Sequence, residues 1–261
     1  MYDYFDIHSH LDFKDFDLDR DQVIEEMRKQ KVATITIGVD LQTSRNAVEL
    51  ATKHAHLYAA VGLHPADNAT ESFNEADYLV LVNHPKTVAI GECGLDYARL
   101  PESPDIEKQR QKDEFEKQIA FAVAHSKPLM IHCRDAYPDV LALLASKKRE
   151  YGDVLRANFH FFTSPLDIAA QILELDFTMS FTGPITFAPQ YQEVVRYVPL
   201  SHMMAETDSP FAAPVPYRGK RNSPLYVEEI VKKIAEIKGK DLESVKQALM
   251  ETTLKVFFRP S

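Results

Sequence analysis

Five histidines and two carboxylates stand where apolar runs of this sequence give way to polar residues. His8 and His10 close the run from Tyr4, His64 follows Gly62-Leu63, and Glu92 follows Val88-Ala89-Ile90-Gly91. His132 ends Leu129-Met130-Ile131, His160 ends Ala157-Asn158-Phe159, and Asp208 follows Met203-Met204-Ala205. A carboxylate such as Glu92, entering an environment covered on both faces, is costly to desolvate unless cations or donors meet it. Imidazoles supply borderline nitrogen and carboxylates supply hard oxygen, a mixture suited to Zn2+, Mn2+, Fe or, with waters, Mg2+. There are too many such groups for one tetrahedral ion, and two ions sharing a bridging carboxylate fit the number. Taken singly, each residue also reads as a salt-bridged or satisfied core group. The recurrence at strand ends is what sets them apart.

The elements that must position them alternate along the chain. Asp6, His8 and His10 share one face of a first strand by the two-residue period. The second His-x-His pair, His54 and His56, sits after a helix-like stretch and reads as structural, since imidazole suits a helix C-terminus. A helix over 21–31 with Val23, Ile24 and Met27 on one stripe leads to a β-branched strand over 32–38. Thr43 is placed to cap the next helix, strand 57–63 follows, and a short helix over 75–83 precedes the Glu92 strand. Beyond it come a long helix carrying Phe115, Ile119 and Ala122, strand 127–132, a helix opened by Pro138, and strand 156–162. A helix opened by Pro165, strand 177–181, helix 190–197 and a last strand through Asp208 complete the series. In that last strand Met204, Glu206 and Asp208 share a face. Two helices close the chain, capped by Ser223 and Asp241.

Strand ends recurring at intervals near ~30 residues are those of strand-helix-strand units, so the fold class is α/β with a parallel sheet. Eight units in one domain spanning residues 1–261 close most naturally into a (β/α)8 TIM barrel. An open doubly wound sheet is the alternative, but the sequence has no Gly-rich dinucleotide turn. In a barrel the polar strand ends gather on the C-terminal face, where active sites are built.

Composition narrows the function classes. With 45% apolar residues the 261-residue chain can bury a large core, and a net charge of −9 argues against a general nucleic-acid coat. It does not exclude an enzyme that meets phosphate through a local basic patch or bound metal. No window approaches the roughly 18 apolar residues of a membrane span, and the first residues lack a signal pattern, so the expectation is a cytoplasmic protein with no membrane and no obligate protein partner. Cys93 and Cys133 read as small strand fillers rather than a disulfide pair.

These motifs together resemble the TatD family of metal-dependent deoxyribonucleases, within the amidohydrolase-like metal barrels. The resemblance rests on Phe5-Asp6-Ile7-His8-Ser9-His10-Leu11, Gly62-Leu63-His64-Pro65 and Gly91-Glu92-Cys93-Gly94-Leu95-Asp96-Tyr97. It extends to Ile131-His132-Cys133-Arg134-Asp135-Ala136, His160 with its aromatic followers, and Glu206-Thr207-Asp208-Ser209-Pro210. It implies His8, His10 and Asp208 on one metal, His132 and His160 on the other and Glu92 between them. The implied activity is exonucleolytic hydrolysis of DNA phosphodiesters with two divalent cations, Mg2+ or Mn2+ in turnover, with Zn2+ also fitting. The segment from Ala213 to Asn222 resembles the family's loop after the last strand, bringing Tyr217, Arg218, Lys220 and Arg221 beside the metals to hold DNA. Two stretches depart from the family pattern: Phe161-Phe162-Thr163-Ser164-Pro165 after His160, and Thr252-Thr253-Leu254-Lys255-Val256-Phe257 near the end.

In such a site Asp208 orients and deprotonates the water, with Glu92 the other catalytic carboxylate. Glu206, one layer deeper, either supports a metal ligand or is a buried structural carboxylate. His64 and Arg134 lie near the rim and can contact phosphate, Arg134 alternatively pairing with Asp96 or Asp135. Two other readings stand beside the nuclease: an amide or ester hydrolase such as an aminoacyl-tRNA deacylase on the same metal pair, and a non-catalytic metal-binding scaffold.

Overall fold

The computed structural model describes residues 2–66 and 70–258. Strands β1 (Tyr4–Ser9), β2 (Val32–Ile37), β3 (Leu57–Val61), β4 (Thr87–Asp96), β5 (Leu129–Arg134), β6 (Ala157–Phe159), β7 (Thr178–Phe181) and β8 (Met203–Ala205) pair in chain order, each parallel to the next. Backbone bonds just past the last strand bring it back to the first: Asp208 N donates to His8 O at 2.9 Å and His10 N to Ser209 O at 2.8 Å. Asp6 strengthens this seam, accepting from Thr207 N at 2.8 Å and Thr207 Oγ1 at 2.6 Å. The eight parallel strands make the (β/α)8 barrel that the spacing predicts.

The helices are α1 (Arg20–Lys29), α2 (Leu41–Lys53), α3 (Glu75–Val82), α4 (Pro104–Ala124), α5 (Tyr137–Tyr151), α6 (Leu166–Glu174), α7 (Gln192–Tyr197), α8 (Val227–Lys238) and α9 (Leu242–Phe257). Their apolar stripes pack on the outward strand residues, so that Met27, Ala47, Phe115, Ile119, Leu144, Ile172 and Ile230 join Val32, Leu57, Val61 and Phe159 in one buried layer. A second cluster fills the inside: Phe5, Ile7, Ile35, Ile37, Ala60, Val88, Met130 and Met204, closed by Val256 and Phe257 of α9. Across that closed end Phe5 and Tyr58 stack, and Phe258 meets both in T-shaped contacts.

The remaining inner wall is polar. On β6 to β8, Thr178 Oγ1 donates to Asn158 Oδ1 at 3.0 Å, Asn158 Nδ2 to Ser180 Oγ at 2.8 Å, and Ser180 Oγ to Glu206 Oε2 at 2.5 Å. Each group is buried and satisfied, as a polar group in a core must be.

Some boundaries differ from expectation. Asp40, not Thr43, is the N-cap of α2. The pair forms a reciprocal box in which Thr43 N donates to Asp40 Oδ1 at 2.7 Å and Asp40 N to Thr43 Oγ1 at 3.0 Å. The last strand stops at Ala205, and the chain turns at Asp208, whose φ of 54° is left-handed. Asp241 caps α9 as predicted, accepting from Ser244 N, whereas Ser223 caps a short 3-10 turn over Pro224–Tyr226, accepting from Leu225 N, and α8 begins only after Tyr226. His54 ends α2, and His56 Nε2 bonds the Ile24 carbonyl at 3.1 Å. The Thr252 and Thr253 hydroxyls bond carbonyls of their own helix, and Thr252 also bonds that of Leu200, so this departure serves packing of α9. Among the described residues no helix is long and apolar enough to cross a membrane. Cys93 and Cys133 are both free.

Candidate metal centre

Glu92 is aimed by an irregularity in its own strand. The pairing of β4 with β5 shifts between Ile90 and Cys93, so residues 91 and 92 bulge from the ladder. Gly91 lies at φ 155°, and a Cβ there would stand 2.6 Å from Met130 Cβ. Gly94 lies at φ 138°, where a Cβ would run into the His132 carbonyl. The two glycines therefore permit a close approach to β5 that a side chain would block.

Around Glu92 the imidazoles divide by oxygen. Oε1 lies 2.7 Å from His160 Nε2, 2.9 Å from His132 Nδ1 and 3.7 Å from His64 Nε2. Oε2 lies 3.5 Å from His8 Nε2 and 3.8 Å from His10 Nε2. Asp208 Oδ1 is 3.5 Å from each of those two nitrogens, which are themselves 3.3 Å apart. Nitrogen and carboxylate lone pairs converging from different strands are what a cation site requires. The ligand atoms group as His8-His10-Glu92, His8-His160-Asp208, Glu92-His132-His160 and His64-Asp96-His132, each set within 4.8 Å. The donor set fits divalent metal, with Glu92 common to two of these groups.

Neighbouring groups hold the ligands in place. His10 Nδ1 faces Ile37 O at 3.2 Å, and His8 and His160 stack face to face at 4.0 Å. Glu206 Oε1 accepts from Phe161 N at 2.5 Å and lies 3.6 Å from His160 Nδ1, so the polar inner wall ends against a candidate ligand. Phe161 takes a left-handed φ of 49° to make that bond.

Burial and charge oppose each other here. Burial alone would raise the Glu92 pKa, but His160 and the hydrogen bonds from His132 and His160 hold it well below the usual carboxylate range. Burial pushes His8 down to about 4, with His160 adding to the effect, and likewise lowers His64 to about 3. His10, His132 and His160 go the other way: burial lowers them, yet Asp208, Asp96 with Glu92, and Glu92 with Glu206 respectively raise them. A metal ion and these protons compete for the same lone pairs.

Asp96 is a member that sequence reasoning treated only as a partner for Arg134. Its Oδ2 instead meets His132 Nε2 at 3.0 Å, leaving that imidazole with Glu92 on one nitrogen and Asp96 on the other. The apolar run stops at Ile90, whereas β4 runs on to Asp96. Asp12 was also unmarked. Burial raises its pKa to about 6, and both carboxylate oxygens are buried without a hydrogen-bond partner among the described residues. No motif in the sequence flags it. Asp6 shares the His8 strand but turns to Thr207 instead of the cluster.

The other expected site residues have varied engagements, and His64, expected at the rim, lies inside the cluster. His64 is buried against His132, their rings 4.4 Å apart, and Arg134 is exposed without an ion pair among the described residues. Tyr217 lies flat on Tyr226 at 3.7 Å, and the Arg218 guanidinium sits over the Phe187 ring at 4.1 Å. Arg221 binds Asp19 through both terminal nitrogens at 2.7 Å and covers Phe16, while Lys220 is exposed.

A family model described as TatD related DNase matches residues 5–258. The uncharacterized metal-dependent hydrolase YabD of Bacillus subtilis (strain 168) is 37% identical over 257 residues, covering 97% of this chain and 98% of that one. The 3'-5' ssDNA/RNA exonuclease TatD of Pectobacterium parmentieri is 31% identical over 263 residues, with 97% and 98% covered. Among solved structures, the TatD homolog YJJV of Escherichia coli K12 has a TM-score of 0.88 over 99% of both chains at 24% identity, a likeness of fold.

Proposed function

Because the chain belongs to the TatD-related DNase family of metal-dependent hydrolases, we propose that it cleaves DNA phosphodiester bonds from a strand end, with Glu92 and the imidazoles around it as the residues that would hold a pair of divalent cations. The observation that carries this reading is the division of the Glu92 carboxylate, with His8 and His10 on Oε2 and His132 and His160 on Oε1. His8, His10 and Asp208 would hold one cation, His132 and His160 the other. When bound, divalent cations, Mg2+ or Mn2+ in turnover and Zn2+ by ligand type, acidify water and offset phosphate charge.

The chain's own groups do the rest. Asp208 is 8% exposed, so its carboxylate borders both the cluster and solvent. It orients a water and takes its proton as the water oxygen bonds to phosphorus. The bond from phosphorus to the leaving oxygen breaks, and that oxygen keeps the electron pair and gains a proton from solvent. The exposed Arg134 guanidinium and the His64 imidazole meet phosphate oxygens, and the Arg218, Lys220 and Arg221 loop holds flanking phosphates.

The test is hydrolysis of end-labelled single-stranded DNA beside an aminoacyl-tRNA, in chelator and after return of Mg2+ or Mn2+. The expected result is metal-dependent shortening of DNA from one end, with the protein still folded in chelator because its core does not need metal. Full activity in excess chelator would remove the metal reading. Cleavage of the aminoacyl ester alone would replace the nuclease by a carbonyl hydrolase.

A further inference from the structure

Three aromatic rings meet beside the His10 side of the cradle. Phe13 lies nearly flat on the His10 imidazole, with centroids 4.5 Å apart and planes 24° apart. Phe211 stands steeply to both rings, 6.1 Å from His10 with planes 66° apart and 6.3 Å from Phe13 with planes 77° apart. The residue is 51% exposed. An exposed phenyl ring by itself signals nothing, but this one is held rigidly at a chosen place. Phe211 N donates to Asp208 O at 2.9 Å, and the buried Asn222 side chain donates to Phe211 O at 2.6 Å and to Thr207 O at 2.8 Å. Left-handed residues stand on either side, Asp208 at φ 54° and Ala212 at φ 51°. The backbone is clamped while the side chain stands in water, the inverse of an aromatic kept for packing.

The neighbouring aromatics have their faces covered. Tyr217 stacks on Tyr226 and Phe187 carries Arg218, whereas among the described residues no ring stacks parallel on Phe211, whose two ring contacts are both T-shaped. A fixed, half-exposed phenyl ring with no parallel ring stacked on it, next to two candidate metal ligands, fits a flat apolar group carried by the same molecule that presents its phosphate to the cradle. We infer that Phe211 is the stacking platform for an unpaired nucleobase of the nucleotide being cleaved, with Phe13 and Asn222 setting its position. The inference rests on the nucleic-acid reading of the site. Stacking accepts any base, so the platform adds affinity without reading sequence, and a base inside a duplex has no free face to offer.

Two single-stranded oligonucleotides test this, one intact and one with an abasic nucleotide at the end that is cleaved, compared for KM in turnover and for Kd by fluorescence anisotropy. The wild-type protein should bind the abasic strand about tenfold more weakly, the scale of one base–aromatic contact. Phe211→Ala should bind both strands alike, at the level of the wild type on the abasic one, and Phe211→Tyr should restore the difference. Equal affinity of the wild type for both strands, or an undiminished difference in Phe211→Ala, would overturn the platform. Because affinity is read separately from turnover, binding with the expected difference but without cleavage would leave the platform and remove the nuclease reading. Cleavage without the difference would do the opposite.

Discussion

The cradle around Glu92 and the basic loop beside it both place charged groups on the same rim of the barrel, and they are built in opposite ways. In the cradle, His8, His10, Glu92, His132, His160 and Asp208 come from the C-terminal parts of five strands, β1, β4, β5, β6 and β8, or just past them, are mostly buried, and each lies within 4 Å of another. In the loop, the charges are near one another in sequence but turn to separate local partners: Arg221 to Asp19 and Phe16, Arg218 to Phe187. Convergence of groups distant in sequence has a desolvation cost that only a cation or a proton offsets. A surface ion pair such as Arg221–Asp19, about one-third exposed on each side, contributes only about 0–1 kcal/mol. The difference teaches that the cradle's groups are committed to one another by geometry, while the loop's cations are held only by weak, partly exposed local contacts.

Substitutions can break this comparison, and the largest effect is expected inside the cradle. Asp208→Asn removes the proton acceptor while keeping the side chain's size, and kcat should fall by about 10²- to 10⁴-fold in a steady-state assay with saturating Mn2+. A fall under tenfold would move the acceptor elsewhere. The next effect lies one contact away. Glu206→Gln leaves a carboxamide between the Phe161 N–H, the Ser180 hydroxyl and His160, so His160 loses the charge that supports it. Metal affinity measured by calorimetry should weaken roughly 10- to 100-fold. Unchanged affinity in a folded variant would leave Glu206 a structural carboxylate.

The smallest effect belongs to the loop. Replacing Arg218, Lys220 and Arg221 together by Ala should raise KM for oligonucleotides by about tenfold with a much smaller change in kcat, and flatten the dependence on salt. A small activated phosphodiester should be cleaved nearly as before. An unchanged KM and salt slope would reduce the loop to a solubilising segment and sharpen the contrast with the cradle.

Much of the cradle is legible in the sequence because strand periodicity and the recurrence of polar residues at strand ends are local signals that barrel closure converts into one site. What the sequence hides depends on register and distant partners. The apolar run stops before the Gly91–Gly94 bulge, yet the strand continues through it to Asp96. Asp208 reads as a strand residue by its alternation with Met204 and Glu206, but the chain turns there. The Asp40 cap was hidden behind Thr43, which suits either role in a capping box. Asp19, the partner of Arg221, lies 202 residues away, and no pattern within the loop announces it.

Metal stoichiometry tests most directly whether Glu92 serves two cations at once. Glu92→Gln keeps the shape of the side chain but removes the charge that lets one carboxylate face both sets of imidazoles. Equilibrium dialysis against Mn2+, followed by elemental analysis, should find two ions per wild-type chain and fewer in the variant, with activity lost in parallel. Two ions and wild-type turnover in Glu92→Gln would contradict the shared carboxylate and make Glu92 a structural residue.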